Sequence, residues 1–181
     1  MTRKQKIKYL IIYGVIMTIL GLSCIFYSPI NKALALSFRE NYNTVSIHNN
    51  LLVHFIDVGQ ADAALVFSDD ETMLIDGGNP QDSSLIAAYL KNYNISHLNY
   101  VVCSHAHDDH VGGLPGALSV ATVDVVYTPK TENDIKAYQS FKSKVAAQDL
   151  SITNPSPGDT FKFGNSTVLF LGPVHENKTY R

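Results

Sequence analysis

The stretch Cys103-Ser104-His105-Ala106-His107-Asp108-Asp109-His110-Val111-Gly112-Gly113 constrains this chain more than any other part of it. The chain holds seven histidines, and three of them fall with two aspartates between positions 105 and 110. Imidazole mixed with carboxylate is the donor set that suits zinc and its neighbours, so this density reads as a metal site. The stretch follows an apolar run, Leu98-Asn99-Tyr100-Val101-Val102-Cys103, of the kind that forms a buried strand. In the extended continuation of a strand, residues two apart point the same way, which lets His105 and His107 grip one ion together. Asp109 and His110 come past a turn and face a different point. One loop is therefore expected to supply two ligands to each of two neighbouring metals, the arrangement in which a bridging water becomes hydroxide near neutral pH. Val111-Gly112-Gly113-Leu114 leads into a short helix, its glycines letting backbone approach the ions closely.

Upstream, Leu52 to Val58 and Ala63 to Phe67 read as strands on either side of Gly59-Gln60-Ala61-Asp62. Ser68 to Glu71 turns the chain into a third strand, Thr72 to Asp76. Asp82-Ser83-Ser84 caps a helix with Leu85, Ile86, Tyr89, Leu90 and Tyr93 on its apolar side. Beyond the histidines, Val123 to Tyr127 is a strand, and a helix opens at Thr131 to Asp134 with Ile135, Tyr138, Phe141 and Val145 at helical spacing. Gly158-Asp159-Thr160 is a turn, and Ser166 to Leu171 a further strand. Strands interleaved with one-sided helices imply an α/β (α+β) fold, a sheet with helices packed on it. Asp76 stands at a strand end before two glycines, where an aspartate also serves as a turn cap, and Asp57, Gln60 and Asp62 equally suit turn chemistry. His48, His54 and His97 lack partners at ligand spacing and read as structural. Cys24 lies in an apolar N-terminal run and Cys103 in an interior strand, so no disulfide framework is expected.

With Asp57-Val58-Gly59-Gln60-Ala61-Asp62 before it and Leu74-Ile75-Asp76-Gly77-Gly78 between, the histidine stretch resembles the metallo-β-lactamase fold. Within that fold it is similar to the branch that contains the ComEC competence proteins, and the resemblance runs from about Leu52 to Pro173. It implies an αββα sandwich and metal ligation by His105, His107, Asp109 and His110. The implied cofactors are two divalent metals, zinc or else manganese. It gives Asp76 the role of holding the ligand loop by hydrogen bonds, and sets Asp57, Gln60 and Asp62 at the rim of the active site. Ala61 departs from the signature, which has glycine there; alanine disfavours positive φ, so a slightly different loop is expected. The resemblance also implies a shared aspartate and a late histidine from the second half. His175 is the only histidine after the ligand stretch, and residues 51–181 are expected to form a domain truncated in its second half.

The N-terminus says where such a domain works. Arg3, Lys4, Lys6 and Lys8 make residues 1–8 a basic, cytoplasmic segment. Tyr9 to Tyr27 carries no charge and, at roughly 1.5 Å per residue, nearly crosses a hydrocarbon core of about 30 Å. Residues 9–27 are thus expected to be a transmembrane signal-anchor, and the Asn-rich 28–50 a linker. The positive flank stays inside, leaving the domain extracytoplasmic on a single-pass anchor in the cell membrane. Ala33-Leu34-Ala35 offers a signal-peptidase alternative that would secrete the domain, and Gly21-Leu22-Ser23-Cys24 a lipoprotein-like one.

The function expected is that of an exported, membrane-anchored metallo-hydrolase, or a fragment of one. Asp109 and His110 would hold the metal that activates the attacking water. Resemblance to the ComEC branch implies phosphodiester-type bonds as substrate, in DNA or in phosphocholine esters of cell-wall polymers; lactams, lactones and thioesters are the alternatives within the fold. A second class is a noncatalytic remnant without the C-terminal ligands. Nucleic-acid capture without chemistry has little support, because past Lys8 ten basic residues face sixteen acidic ones. Metal ions and the membrane are the partners indicated, and no protein partner is.

Overall fold

The computed structural model describes residue 5 and residues 51–130 and 134–173. The chain divides into two compact units, Met1–Val45 and Ser46–Arg181, and the fold below is that of the second. The expected transmembrane segment 9–27, the linker 28–50, His48 and His175 lie outside the described residues. Among the described residues no helix is long and apolar enough to cross a membrane.

Among the described residues six strands form one sheet in sequence order. β1 (Leu51–Phe55), β2 (Ala64–Ser68) and β3 (Glu71–Ile75) are an antiparallel meander, with Val53 opposite Val66 and Leu65 opposite Leu74. β4 (His97–Val102), β5 (Thr122–Tyr127) and β6 (Ile152–Thr153) continue it in parallel, as crossover helices require. The helices are α1 (Ser83–Asn92), α2 (Asp108–Val111), α3 (Leu114–Ala117) and α4 (Lys136–Ala146), with a 3-10 turn at Pro80–Asp82. A separate hairpin pairs β7 (Thr160–Phe163) with β8 (Ser166–Leu169).

Period-two alternation sorts the sheet residues onto two apolar layers. Leu65, Leu74 and Val101 face the helices, in a core completed by Ile86, Leu90, Leu114, Phe141 and Val145. Val66 and Met73 face the other way, packing with Phe163, Tyr100 and Val102 beneath the β7–β8 hairpin. β2 and β3 have consecutive buried residues turned to both layers, Leu65 with Val66 and Met73 with Leu74, whereas β4 and β5 carry exposed His97, Thr122 and Asp124. The architecture is a mixed α/β one of helices, a sheet and a small second sheet. The outer helix layer of the expected αββα sandwich is not among the described residues.

Several boundaries differ from expectation. The first strand stops at Phe55, although Ile56 still donates to Ala63 O (2.9 Å), because the chain must turn at Gly59 (φ 68°). α4 begins at Lys136, with the extended Ile135 at its N-cap, so it opens later than Thr131 to Asp134 suggested. Asp82 does not cap α1 with its side chain; its Oδ2 accepts from Asn79 N (2.8 Å) and closes the preceding 3-10 turn. Leu85 is exposed, because at 100° per residue it falls off the stripe of Ile86, Tyr89, Leu90 and Tyr93. β6 and β7 were not foreseen, the former having only two residues to signal it. Ala61 is absent from the positive-φ positions, so the glycine-to-alanine departure imposes no left-handed backbone there.

Candidate metal centre

The site forms where parallel strands end. Ile75, Val102 and Tyr127 are in register, so Asp76, Cys103 and Thr128 leave the sheet together, at the carboxyl edge where α/β folds place their ligands. Ladder bonds run one step past each strand: Asp76 N donates to Val102 O and Cys103 N to Tyr127 O, both at 2.9 Å.

Three loops are then tied by backbone. Gly77 N donates to His110 O (2.7 Å), Gly78 N to Asp62 O (2.8 Å), Gly113 N to Gly78 O (3.2 Å) and Asp62 N to Asp109 O (3.2 Å). Gly113 lies so close to Gly77 that a Cβ on it would collide with the Gly77 carbonyl, which is why the turn after the histidines contains no side chain there.

His105 and His107 come from the loop after β4, with ring centroids 4.6 Å apart. The chain is extended at His107 (φ −100°, ψ 155°) and coils into α2 at Asp108. That coil brings Asp109 back over the loop rather than away from it, so donor atoms of His105, His107 and Asp109 all lie within 4.8 Å of one another. The division expected from spacing, with Asp109 and His110 at a separate point, is therefore replaced by one contiguous group. His110 sits beside it, its ring 3.9 Å from His105 and its Nε2 3.6 Å from Asp109 Oδ2. Asp108, between two of these residues, is exposed.

Asp76 is buried behind this group in a left-handed conformation (φ 56°) that aspartate tolerates better than most residues. Its Oδ1 accepts from Ser104 N (2.7 Å), and its Oδ2 accepts from Ser104 Oγ (2.6 Å) and His110 Nδ1 (2.9 Å). Placing the proton on Nδ1 leaves the Nε2 lone pair of His110 turned toward Asp109. Ser104, which joins Asp76 to the ligand loop, was missed from sequence; a serine before a histidine carries no pattern that announces it.

The rim residues divide. Asp62 Oδ2 lies 3.7 Å from His110 Nδ1, so Asp62 belongs with the cluster. Asp57 Oδ1 accepts from Gly59 N (3.2 Å) inside its own turn, and Gln60 is exposed; neither is brought to the histidines. His54 and His97 take the structural places expected. His54 packs against Phe67, Tyr89 and Tyr93, while His97 bonds Thr122 Oγ1 and Asp124 Oδ2, both at 3.1 Å, at the opposite end of β4.

Burial lowers the pKa of His105, and the neighbouring His110 and His107 lower it further, outweighing Asp76 and Asp109. A neutral imidazole is the form that binds metal. Burial pushes the Cys103 thiol up to about 12, with nearby Asp76 adding to the rise. Its S–H donates to His105 O (3.2 Å), so it supports the loop and is no thiolate ligand.

This donor set fits a divalent cation. Nitrogen and carboxylate oxygen converge from His105, His107 and Asp109, and His110 presents Nε2 beside Asp109 with its other nitrogen anchored by Asp76.

The sequence profile described as the Metallo-beta-lactamase superfamily matches residues 56–177. No curated protein matches the chain. Among solved structures, the metallo-beta-lactamase SMB-1 in complex with mercaptoacetic acid is similar at 18% identity and a TM-score of 0.47, over 65% of this chain and 48% of that one. MEM-A1, a subclass B3 metallo-beta-lactamase from a soil metagenome library, is similar at 20% identity and a TM-score of 0.47, with the same coverage. Rubredoxin oxygen:oxidoreductase from Desulfovibrio gigas is similar at 22% identity and a TM-score of 0.46, over 60% of this chain and 26% of that one. The chain thus spans about half or less of the length of these proteins.

Proposed function

Because this chain belongs to the metallo-β-lactamase superfamily, whose members are mostly hydrolytic metalloenzymes, we propose that it is a metal-dependent hydrolase of the ComEC-like branch that cleaves phosphodiester-type bonds. The observation that carries the reading is the convergence of His105, His107 and Asp109 beside a His110 oriented by a buried carboxylate.

In this reading His105, His107 and Asp109 would hold one zinc or manganese ion, and His110 beside them would offer its Nε2 to a second. When bound, such ions lower the pKa of water and offset charge developing on a phosphoryl group. The protein's own part is preparation. Asp76 fixes the His110 ring so that Nε2 faces the site, and Ser104 locks Asp76 by two hydrogen bonds. Desolvation keeps His105 neutral and ready to ligate. Buried Cys103, Ala106 and Val111 give the loop an apolar underside that anchors it in the core.

The substrate class rests on the resemblance of Asp57-Val58-Gly59-Gln60-Ala61-Asp62 to the ComEC signature. The excess of acidic over basic residues past Lys8 disfavours a long DNA track. Residues 9–27 would anchor the domain on the outer side of the cell membrane.

The test is turnover of bis-nitrophenyl phosphate, nitrocefin and a simple thioester by the full chain loaded with zinc or manganese. Hydrolysis of the phosphodiester is expected, falling by orders of magnitude in Asp109→Ala while far-UV circular dichroism stays unchanged. Turnover of nitrocefin or the thioester alone would move the substrate class. An undiminished Asp109→Ala rate, or no turnover with metal bound, would defeat the enzymatic reading of this cluster.

A further inference from the structure

Asp62 has a backbone that is held and a side chain that is not. Its N–H donates to Asp109 O (3.2 Å) and its carbonyl accepts from Gly78 N (2.8 Å), so its Cα is pinned between two of the loops that build the site. Any residue supplies those two groups. The turn chemistry of its loop is also provided elsewhere, by Asp57 Oδ1 accepting from Gly59 N. The carboxylate of Asp62 is therefore surplus to the loop. It is 75% exposed, and its Oδ2 stands 3.7 Å from His110 Nδ1.

That nitrogen already gives its proton to Asp76, at 2.9 Å, but the Asp76 carboxylate is shared with Ser104 N and Ser104 Oγ. A cation on Nε2 draws electron density from the whole ring and leaves Nδ1–H more positive. We propose that Asp62 is a positioning residue for His110: it supplies a second negative charge on the Nδ1 side, and its clamped backbone ties the 57–63 loop to the Asp109–His110 pair. This inference rests on the reading of His110 as a metal ligand. The exposure of Asp62 limits the effect, because ion pairs in water are weak and screened by salt.

The experiment is a zinc titration against a chromophoric chelator with the wild-type chain, Asp62→Asn, Asp62→Glu and Asp76→Asn, at low and at high salt, with urea unfolding of each. Asp62→Asn keeps size and backbone bonds while removing charge, so zinc affinity should drop roughly two- to fivefold with the urea midpoint unchanged. The drop should shrink at about 1 M salt, where the Debye length is about 3 Å, and Asp62→Glu should recover most of it. Wild-type affinity in Asp62→Asn would overturn the proposal, as would a loss that salt leaves untouched or that follows the urea midpoint. A wild-type chain that takes up no zinc, or an Asp76→Asn chain that binds as well as wild type, would instead overturn the metal reading beneath it.

Discussion

Replacing Asp76 by asparagine isolates the charge on which the site is built. Asparagine, like aspartate, tolerates the left-handed φ of 56°, and it fills the same buried space. One of its polar atoms can still accept from Ser104 N, but the other becomes an amide that faces two donors, Ser104 Oγ and His110 Nδ1. His110 then resolves the conflict by moving its proton to Nε2, and the lone pair needed for a metal is lost. Hydrogen bonds to charged groups contribute about 1.5–3 kcal/mol each, so one such loss at a buried site costs about that much stability. Loss of an orienting carboxylate typically weakens metal affinity about 10 to 100-fold, or about 1.4–2.7 kcal/mol. Asp76→Ala should be less stable still, since it loses every bond and adds about 1–2 kcal/mol for a left-handed alanine. Urea unfolding and zinc competition of both variants check the ordering. An asparagine variant with wild-type zinc affinity, or an alanine variant as stable as the asparagine one, would show that the Asp76 charge does not orient His110.

Gly113→Ala should cost upwards of about 3 kcal/mol and abolish zinc binding, because its methyl group would collide with the Gly77 carbonyl; urea unfolding and metal analysis read both effects. His54 is held below its ordinary pKa of 6.5 by burial, so the unfolded chain binds more protons than the folded one. Its contribution is full above about 6.5 and is lost progressively as pH falls below that value, so the urea midpoint should decline on acidification from about pH 7 less steeply in His54→Gln than in wild type. A reporter fused after Arg181 should be active only outside the cytoplasm, and full-length chain should stay in the membrane fraction, since four basic residues precede an uncharged run from Tyr9 to Tyr27.

How much of this was legible in the sequence depended on whether a signal was local. His105, His107, Asp109 and His110 announced themselves because their density has no other common chemical reason. The stripe of Ile86 and Leu90, and that of Tyr138, Phe141 and Val145, marked two helices whose buried faces match those residues. The grouping of Asp109 with His105 and His107 was not legible, because it depends on α2 starting at Asp108 immediately after an extended His107. Nor was Ser104, whose partner Asp76 is 28 residues away and meets it only when β3 and β4 align in parallel. The two-residue β6 has no period to read, and Leu85 misled because apolar character alone does not place a side chain on the buried stripe.

A metal centre built by His105, His107, Asp109 and His110 has a ligand shell that X-ray absorption at the zinc edge reads on the zinc-titrated chain. Bound zinc should show nitrogen and oxygen ligands at about 2.0–2.2 Å, multiple-scattering features of imidazole and no sulfur shell near 2.3 Å. His105→Ala should remove the binding. A wild-type chain that retains no zinc, a sulfur shell, or an unchanged spectrum in His105→Ala would show that these four residues do not hold the metal.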